Sequence, residues 1–445
     1  MRSFDVWQGL VLVAAPLSSA CPAKLWRATL RSGPTKSGCL GKASAGRTGA
    51  GVNDDKNVPL TFDDKENIVW KVAAPGSGNS SPIVWGDRLF LQAASGDGKL
   101  RSLLCFDTAD GKTRWQKSIP AAPAKIRADS SLASSTPTTD GKAVYVSFWD
   151  GKVIVLAAYD FNGATLWSKK LGVFNSQHGP GASPILYKDT LILANDMDKD
   201  DFYTKVPNPR PSMLMAFDKR TGELKWEVPR AAERACYSAP FLLHKAGAKT
   251  PELVVTSTTA VTGYNVETGA KLWEAKGWQE HALKAPMRTV ASPALAGDTL
   301  CVCCGGDAGR FAIGLALPVA GKRETPERVW ENRKDFPYVP SPLARGDHFY
   351  FVNDAGLAGC YHASSGKRAW LERLGDGFHA SPLLIDDKIY AVSTAGELYV
   401  LAAQPTFRLL ARSDLAETVR ATPAVAEGRL YIRGARHLYC IGKGR

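Results

Sequence analysis

Two clusters in this 445-residue chain have the residue types and spacing to do chemistry. The first is sulfur. Nine cysteines stand at 21, 39, 105, 236, 301, 303, 304, 360 and 440, an odd and scattered set that is no disulfide framework. Cys301-Val302-Cys303-Cys304 contains C-x-x-C, but Gly305 follows where a c-type haem site needs His. The neighbours Cys303 and Cys304 could close a strained vicinal disulfide. The stretch also reads as an alternating apolar strand, in which small buried Cys is ordinary core.

The second cluster is acidic. In Asn195-Asp196-Met197-Asp198-Lys199-Asp200-Asp201, the residues Asp196, Asp198 and Asp200 give D-x-D-x-D, a spacing seen in calcium loops. An EF-hand loop needs Gly at its sixth position and Glu at its twelfth, and here those are Asp201 and Pro207. The three are weak metal candidates, a solvated loop is the plainer reading, and no metal is expected. No G-x-S-x-G, H-E-x-x-H or Walker sequence is present, so hydrolase and nucleotidase chemistry lacks support.

These segments must be held by a folded body. Hydrophobic residues make up 44% and charged residues 22%, enough apolar side chain to offset ordering entropy, which excludes a disordered chain. Net charge is +13, with no dense Lys/Arg stripe or basic-aromatic interleaving, so nucleic acid is not an expected partner. Residues 1–20 read as a signal peptide or lipoprotein signal. Arg2 precedes the apolar run 9–15, and Ser18-Ser19-Ala20 offers a cleavage site before Cys21, a candidate for a lipid anchor. Residues 21–60, rich in small and polar side chains, read as a flexible linker. No later stretch suits a transmembrane helix. The signal-like N-terminus makes the expected location exported, periplasmic or outer-membrane-associated.

A repeat organises residues 61–445. A small residue and Pro open an apolar run. Further apolar runs follow, then an Asp-x-x-x-Gly turn, with Trp four residues past the Gly. The eight prolines are 82, 137, 184, 240, 293, 342, 382 and 423. The Trp series is Trp70, Trp115, Trp167, Trp226, Trp273, Trp330 and Trp370, with Leu409 or Leu410 where the next should stand. Pro lacks a backbone donor and suits the start of an innermost strand. Asp and Gly suit the hairpin turn. Trp then fills the widening space between wedges and needs a partner for its N–H. Each cassette is thus a four-stranded antiparallel sheet that buries its faces only by stacking radially. The last copy lacks a Trp strand, and residues 67–72 are a Trp strand without a copy. The reading is all-β: an eight-bladed β-propeller, closed by that N-terminal strand joining the C-terminal blade.

Asp218–Trp226 and Asn265–Trp273 resemble the tryptophan-docking motif of quinoprotein-type, PQQ-like repeat propellers. The resemblance covers roughly 67–445 and implies two functional classes. One is the non-enzymatic group similar to the outer-membrane assembly lipoprotein BamB. The other is the PQQ-dependent dehydrogenases of alcohols or sugars, which would imply PQQ with Ca²⁺ and an acid-amide cluster, with Cys303-Cys304 as the lid. The shorter chain favours the first: an exported binding module or scaffold with envelope protein or peptide partners and no cofactor, monomeric or part of a complex. A ligand- or carbohydrate-binding propeller is a third reading. Residues just ahead of each inner-strand Pro should face the channel mouth: Asn79, Arg127, His178, Tyr237, Arg288, Tyr338, His379 and Arg420. The set suits an anion or peptide, although solvated loops are polar in any propeller. His178 and His379 lack carboxylate or Cys company and are not expected to ligate metal.

Overall fold

The computed structural model describes residues 51–443 apart from 64–65, 200–210, 246, 277–286, 307–308 and 319–324. Among them every regular element is a β-strand, and no helix is long and apolar enough to cross a membrane. The strands form eight sheets. Seven follow the chain without interruption, over 83–120, 138–173, 185–230, 241–276, 294–332, 343–373 and 383–414, here blades 1 to 7. The eighth is built from Ala424–Ala426, Arg429–Arg433 and His437–Ile441, completed by Ile68–Ala73 from the other end of the chain. Trp70 lies opposite Cys440, Lys71 opposite Tyr439 and Val72 opposite Leu438. The ring and its seam are therefore those the repeat implies.

Burial follows from the wedge shape. A second strand such as Ala143–Trp149 is buried throughout, because a neighbouring blade covers each face. An outer strand such as Thr113–Pro120 reaches the circumference and alternates between half-buried and exposed. The core lies between blades: Ile83 and Phe90 of blade 1 pack with Val144 and Phe148 of blade 2.

Every outer strand carries a β-bulge one residue ahead of the tryptophan position. The residues without a partner in register are Val69, Arg114, Leu166, Lys225, Leu272, Val329, Ala369 and Leu410. A bulge re-aims the side chain that follows it. Here it delivers the indole to the turn of the next blade. Gly111, Gly163, Gly222, Gly269 and Gly366 hold φ between +63° and +85°. A Cβ on any of them would come within 2.6–3.0 Å of Trp70, Trp115, Trp167, Trp226 or Trp330 of the preceding blade. Glycine is thus required both by the backbone and by the ring lying on it. The indole N–H of Trp70 donates to Thr108 O at 3.0 Å, that of Trp115 to Phe161 O at 2.9 Å and that of Trp167 to Lys219 O at 2.9 Å. Trp330 and Trp370 likewise donate to Ala363 O and Gln404 O. Trp273 instead bonds Glu252 Oε2 of its own blade, at 2.7 Å.

Two features differ from the sequence reading. The tryptophan position of blade 7 is held by Ala411, opposite Val400, and not by Leu409 or Leu410, because the bulge falls on Leu410. The blade that follows has no docking turn to receive an indole, since its last two strands belong to opposite chain ends. Residues 51–60, read as linker, belong to the fold. Val52–Asn53 pairs parallel with Leu384 and Ile385 as a fifth strand on blade 7. Val58 is buried with Leu383 and Tyr390, and Tyr390 Oη donates to Val58 O at 3.1 Å.

The small residue before each proline proves to be a joint. The backbone N–H of Ser81 donates to Thr136 Oγ1 and that of Thr136 to Ser183 Oγ. Ala239 donates to Ser292, Ser292 to Ser341, Ser341 to Ser381, Ser381 to Thr422, and Thr422 back to Ser81. These bonds measure 2.9–3.2 Å and hoop the ring at its throat. Only the joint from Ser183 lacks a hydroxyl acceptor, because residue 239 is Ala. Ala239→Ser should therefore raise the urea midpoint by the equivalent of about 1 kcal/mol, and Ser341→Ala should lower it by about 1–2 kcal/mol. A Ser341→Ala protein as stable as the parent would contradict this role.

Candidate functional site

The inner strands all begin at one end of the ring, so the loops ahead of their prolines converge there. They enclose a cavity of about 490 Å³ whose lining includes all eight residues named from the repeat: Asn79, Arg127, His178, Tyr237, Arg288, Tyr338, His379 and Arg420. The Ser/Thr hoop forms its throat, and a second cavity of about 420 Å³, lined by the eight prolines' neighbourhoods and by Gly51, continues along the central channel.

The wall is a set of cross-blade pairs. Arg288, in the loop between blades 4 and 5, reaches Asp198 Oδ1 of blade 3 at 3.2 Å. Asp198 also accepts the backbone N–H groups of Gln177 at 3.0 Å and Ala235 at 2.8 Å. The Gln177 carboxamide fits with its oxygen turned to Arg288 Nη1 and Nη2, at 2.9 and 2.6 Å, and to His178 Nε2 at 3.2 Å. That makes Nε2 the protonated nitrogen of His178, so Nδ1 accepts from the Ser130 hydroxyl at 2.9 Å. Arg310 of blade 5 pairs with Asp354 of blade 6, whose other oxygen accepts the Tyr338 N–H at 2.9 Å. Arg420 differs. Its Nη1 donates to the backbone oxygen of Asp129 at 3.0 Å and approaches His379 Nδ1 at 3.3 Å. Among the described residues no carboxylate pairs with it.

Glycines bring the two tyrosines to the wall. The Tyr237 ring lies on Gly181, where a Cβ would stand 2.5 Å from Cδ1, and the Tyr338 ring lies on Gly305 at 2.7 Å from Cδ2. Burial, with Asp198 beside it, pushes the Tyr237 phenol far up; burial also raises Tyr338. Burial first and Arg288 second push His178 down to about 4. Burial and then Arg420 lower His379. Both imidazoles are therefore neutral hydrogen-bonding groups at neutral pH.

The other sequence candidates fare differently. Asp196 is buried in a two-bond pair with Arg230, Oδ1 to Nε at 2.7 Å and Oδ2 to Nη2 at 3.0 Å. Asp198 is spent on Arg288 and two amides, so neither is left to bind a metal ion. Asp200 and Cys21 lie outside the described residues. Cys303 and Cys304 are free and buried. Successive side chains of the strand Thr299–Gly306 point to opposite faces, so Cys303 packs among one apolar cluster and Cys304 among another. That orientation rules out a vicinal disulfide. Sequence reasoning missed Asp129, Gln177, Arg310 and Asp354, all of which line the cavity. Asp129 and Gln177 adjoin residues that were found. Arg310 and Asp354 sit on the hairpins after the second strands, a repeat position equally close to the mouth.

Eight blades with docked tryptophans and a Ser/Thr-Pro throat define a quinoprotein-type, PQQ-like repeat propeller. The chain belongs to the family described as outer membrane protein assembly factor BamB, whose model matches residues 19–173 and 154–404. Among solved structures it is similar to BamB from Moraxella catarrhalis, with TM-score 0.58 and 14% identity over 84% of this chain and 99% of that one. Quinohemoprotein alcohol dehydrogenase from Comamonas testosteroni gives TM-score 0.56 and 12% identity over 88% of this chain and 79% of that one. Sqt1 from Saccharomyces cerevisiae gives TM-score 0.56 and 13% identity over 87% and 100%. At these identities the likeness is one of fold. Polyvinylalcohol dehydrogenase of Sphingopyxis sp. (strain 113P3) is 25% identical where the two align, over 38% of this chain. The match spans only 36% of that relative's length.

The depressed His178 has a measurable consequence. An unfolded His binds its proton near 6.5, the folded one near 4, so the unfolded state holds more protons between those values. Stability should fall as pH drops from 6.5 towards 4 and this contribution should level off below that. Urea midpoints across this range should show a shallower fall for His178→Gln than for the parent. Equal slopes would contradict the assignment.

Proposed function

We propose that this chain is an exported, non-catalytic binding propeller of the cell envelope, which receives a protein or peptide partner at the Arg/His/Tyr-lined mouth. The family supports a BamB-like role. The observation that carries the reading is the state of the mouth's carboxylates. Asp354 is held by Arg310 and the Tyr338 N–H, and Asp129 Oδ1 lies 3.9 Å from Arg127 Nε. A calcium ion needs six to eight oxygen ligands. Among the described residues the cavity lining instead sets four guanidinium groups against these two carboxylates, with Asp198 buried behind Arg288 and bonded to it. Its donor set does not fit Ca²⁺, and the cysteines that would form a lid over PQQ face apart. What the mouth does offer is fixed donors and acceptors, two tyrosines and the unpaired Arg420, a set suited to an extended peptide with an acidic side chain.

The dehydrogenase reading keeps support from the match to polyvinylalcohol dehydrogenase, and one pair of experiments separates the two. Full-length protein incubated with PQQ and Ca²⁺ should give no dye reduction with alcohols, polyvinyl alcohol or sugars. A tagged chain should retain a stable partner from envelope extract, and Arg420→Glu should lose it. Turnover that disappears on substituting Asp129 or Asp354, with no partner retained, would replace this reading by the enzymatic one.

A further inference from the structure

Blade 6 carries a second polar cluster, at the end of its strands away from the mouth. The inner strand Leu343–Arg345 leaves Ser341 at the cavity and turns at Gly346 and Asp347 into His348–Val352. His348 starts that second strand, while Asp354, just past its far end, lines the mouth. The third strand, Leu357–His362, ends with His362 directly opposite His348.

The register decides how close the two imidazoles come. His362 donates its backbone N–H to Lys367 O at 2.9 Å and accepts from the Gly366 N–H at 2.8 Å, both on the side away from His348. His348 and His362 are therefore a non-hydrogen-bonded antiparallel pair, the position at which opposing side chains approach most closely. Their ring centroids stand 4.3 Å apart. Asp347 adjoins them, with Oδ1 2.6 Å from His348 Nδ1. Ligand atoms offered by Asp347, His348 and His362 all lie within 4.8 Å of one another. His348 is 8% exposed. Its Nδ1 is the ring nitrogen on the Asp347 side, so it is Nδ1 that is placed to share an ion with Asp347 and His362, while Nε2 on the opposite side of the ring keeps the proton.

We propose that Asp347, His348 and His362 form a binding site for a divalent transition-metal ion of the zinc class. Two imidazoles and one carboxylate suit such ions, whereas calcium and magnesium want oxygen throughout. Asp347 is largely exposed, its side chain 81% accessible, so the ion has an entry path and room for water in the remaining positions. The ion would clip the inner hairpin of blade 6 to its third strand. It would bind the folded chain alone and stabilise it by mass action. The site is remote from the mouth, so it stands or falls apart from the proposed partner binding.

The test titrates the full-length protein with Zn²⁺ by calorimetry and with Co²⁺ by visible absorption. The expected result is one ion at nitrogen and oxygen ligands, a higher thermal midpoint with Zn²⁺, and at least about tenfold weaker binding in His362→Gln. Asp347→Asn changes an exposed side chain, so it keeps the fold, and it should also weaken binding. No uptake by the parent protein would overturn the proposal. So would affinity unchanged in both variants, or a cobalt spectrum showing thiolate ligation.

Discussion

The ring depends on one repeated bond: the amide ahead of each inner-strand proline donates to the hydroxyl of the next blade. Proline itself offers no donor, so the residue before it supplies the last inner-edge amide that a neighbour can capture. At the circumference a second hoop does the same work with apolar contact, five of the bulged outer strands laying an indole on the next blade's glycine. Both hoops have gaps. The inner hoop lacks a hydroxyl at Ala239, and the outer hoop lacks an indole at Ala411. The N-terminal stretch runs along blade 7 from its inner edge to its outer strand and ties it to blade 8. Val52–Asn53 extends blade 7, Asn53 Nδ2 reaches Val425 O of blade 8 at 3.4 Å, and Phe62 N donates to Ser413 Oγ at 3.0 Å.

The hoops explain why the mouth exists and why its chemistry is free to vary. Loops ahead of the prolines are drawn to one end of the axis whatever side chains they carry. Their side chains then pair across blades, as Arg288 does with Asp198 and Arg310 with Asp354. Function in such a scaffold is a matter of its site and not of its fold, and fold likeness therefore does not transfer activity.

The architecture was legible because proline, glycine and tryptophan each have a positional meaning in a blade, and eight copies reinforce it. The strand at 68–73 could be joined to 437–441 because each end of the chain was missing what the other had. The mouth residues were legible as offsets from proline. Their state was not, because the partners lie far apart in the chain. Asp196, Asp198 and Asp200 look like a ligand run along the sequence, yet Asp196 meets Arg230 and Asp198 meets Arg288, 34 and 90 residues away. The hydroxyl hoop was also invisible, since serine before proline reads simply as a small residue until the neighbouring blade is beside it. The fifth strand of blade 7 was missed because two residues of parallel pairing leave no hydrophobic period to detect.

Hydrogen exchange at the seam tests the closed ring most directly. If the chain's ends complete one blade, amides of 68–73 and 437–441 will be protected together, to the degree seen in the adjoining strand Arg429–Arg433. Rapid exchange of 68–73 beside a protected 429–433 would mean that the N-terminal strand is not part of the eighth blade, and the account of the ring would be wrong.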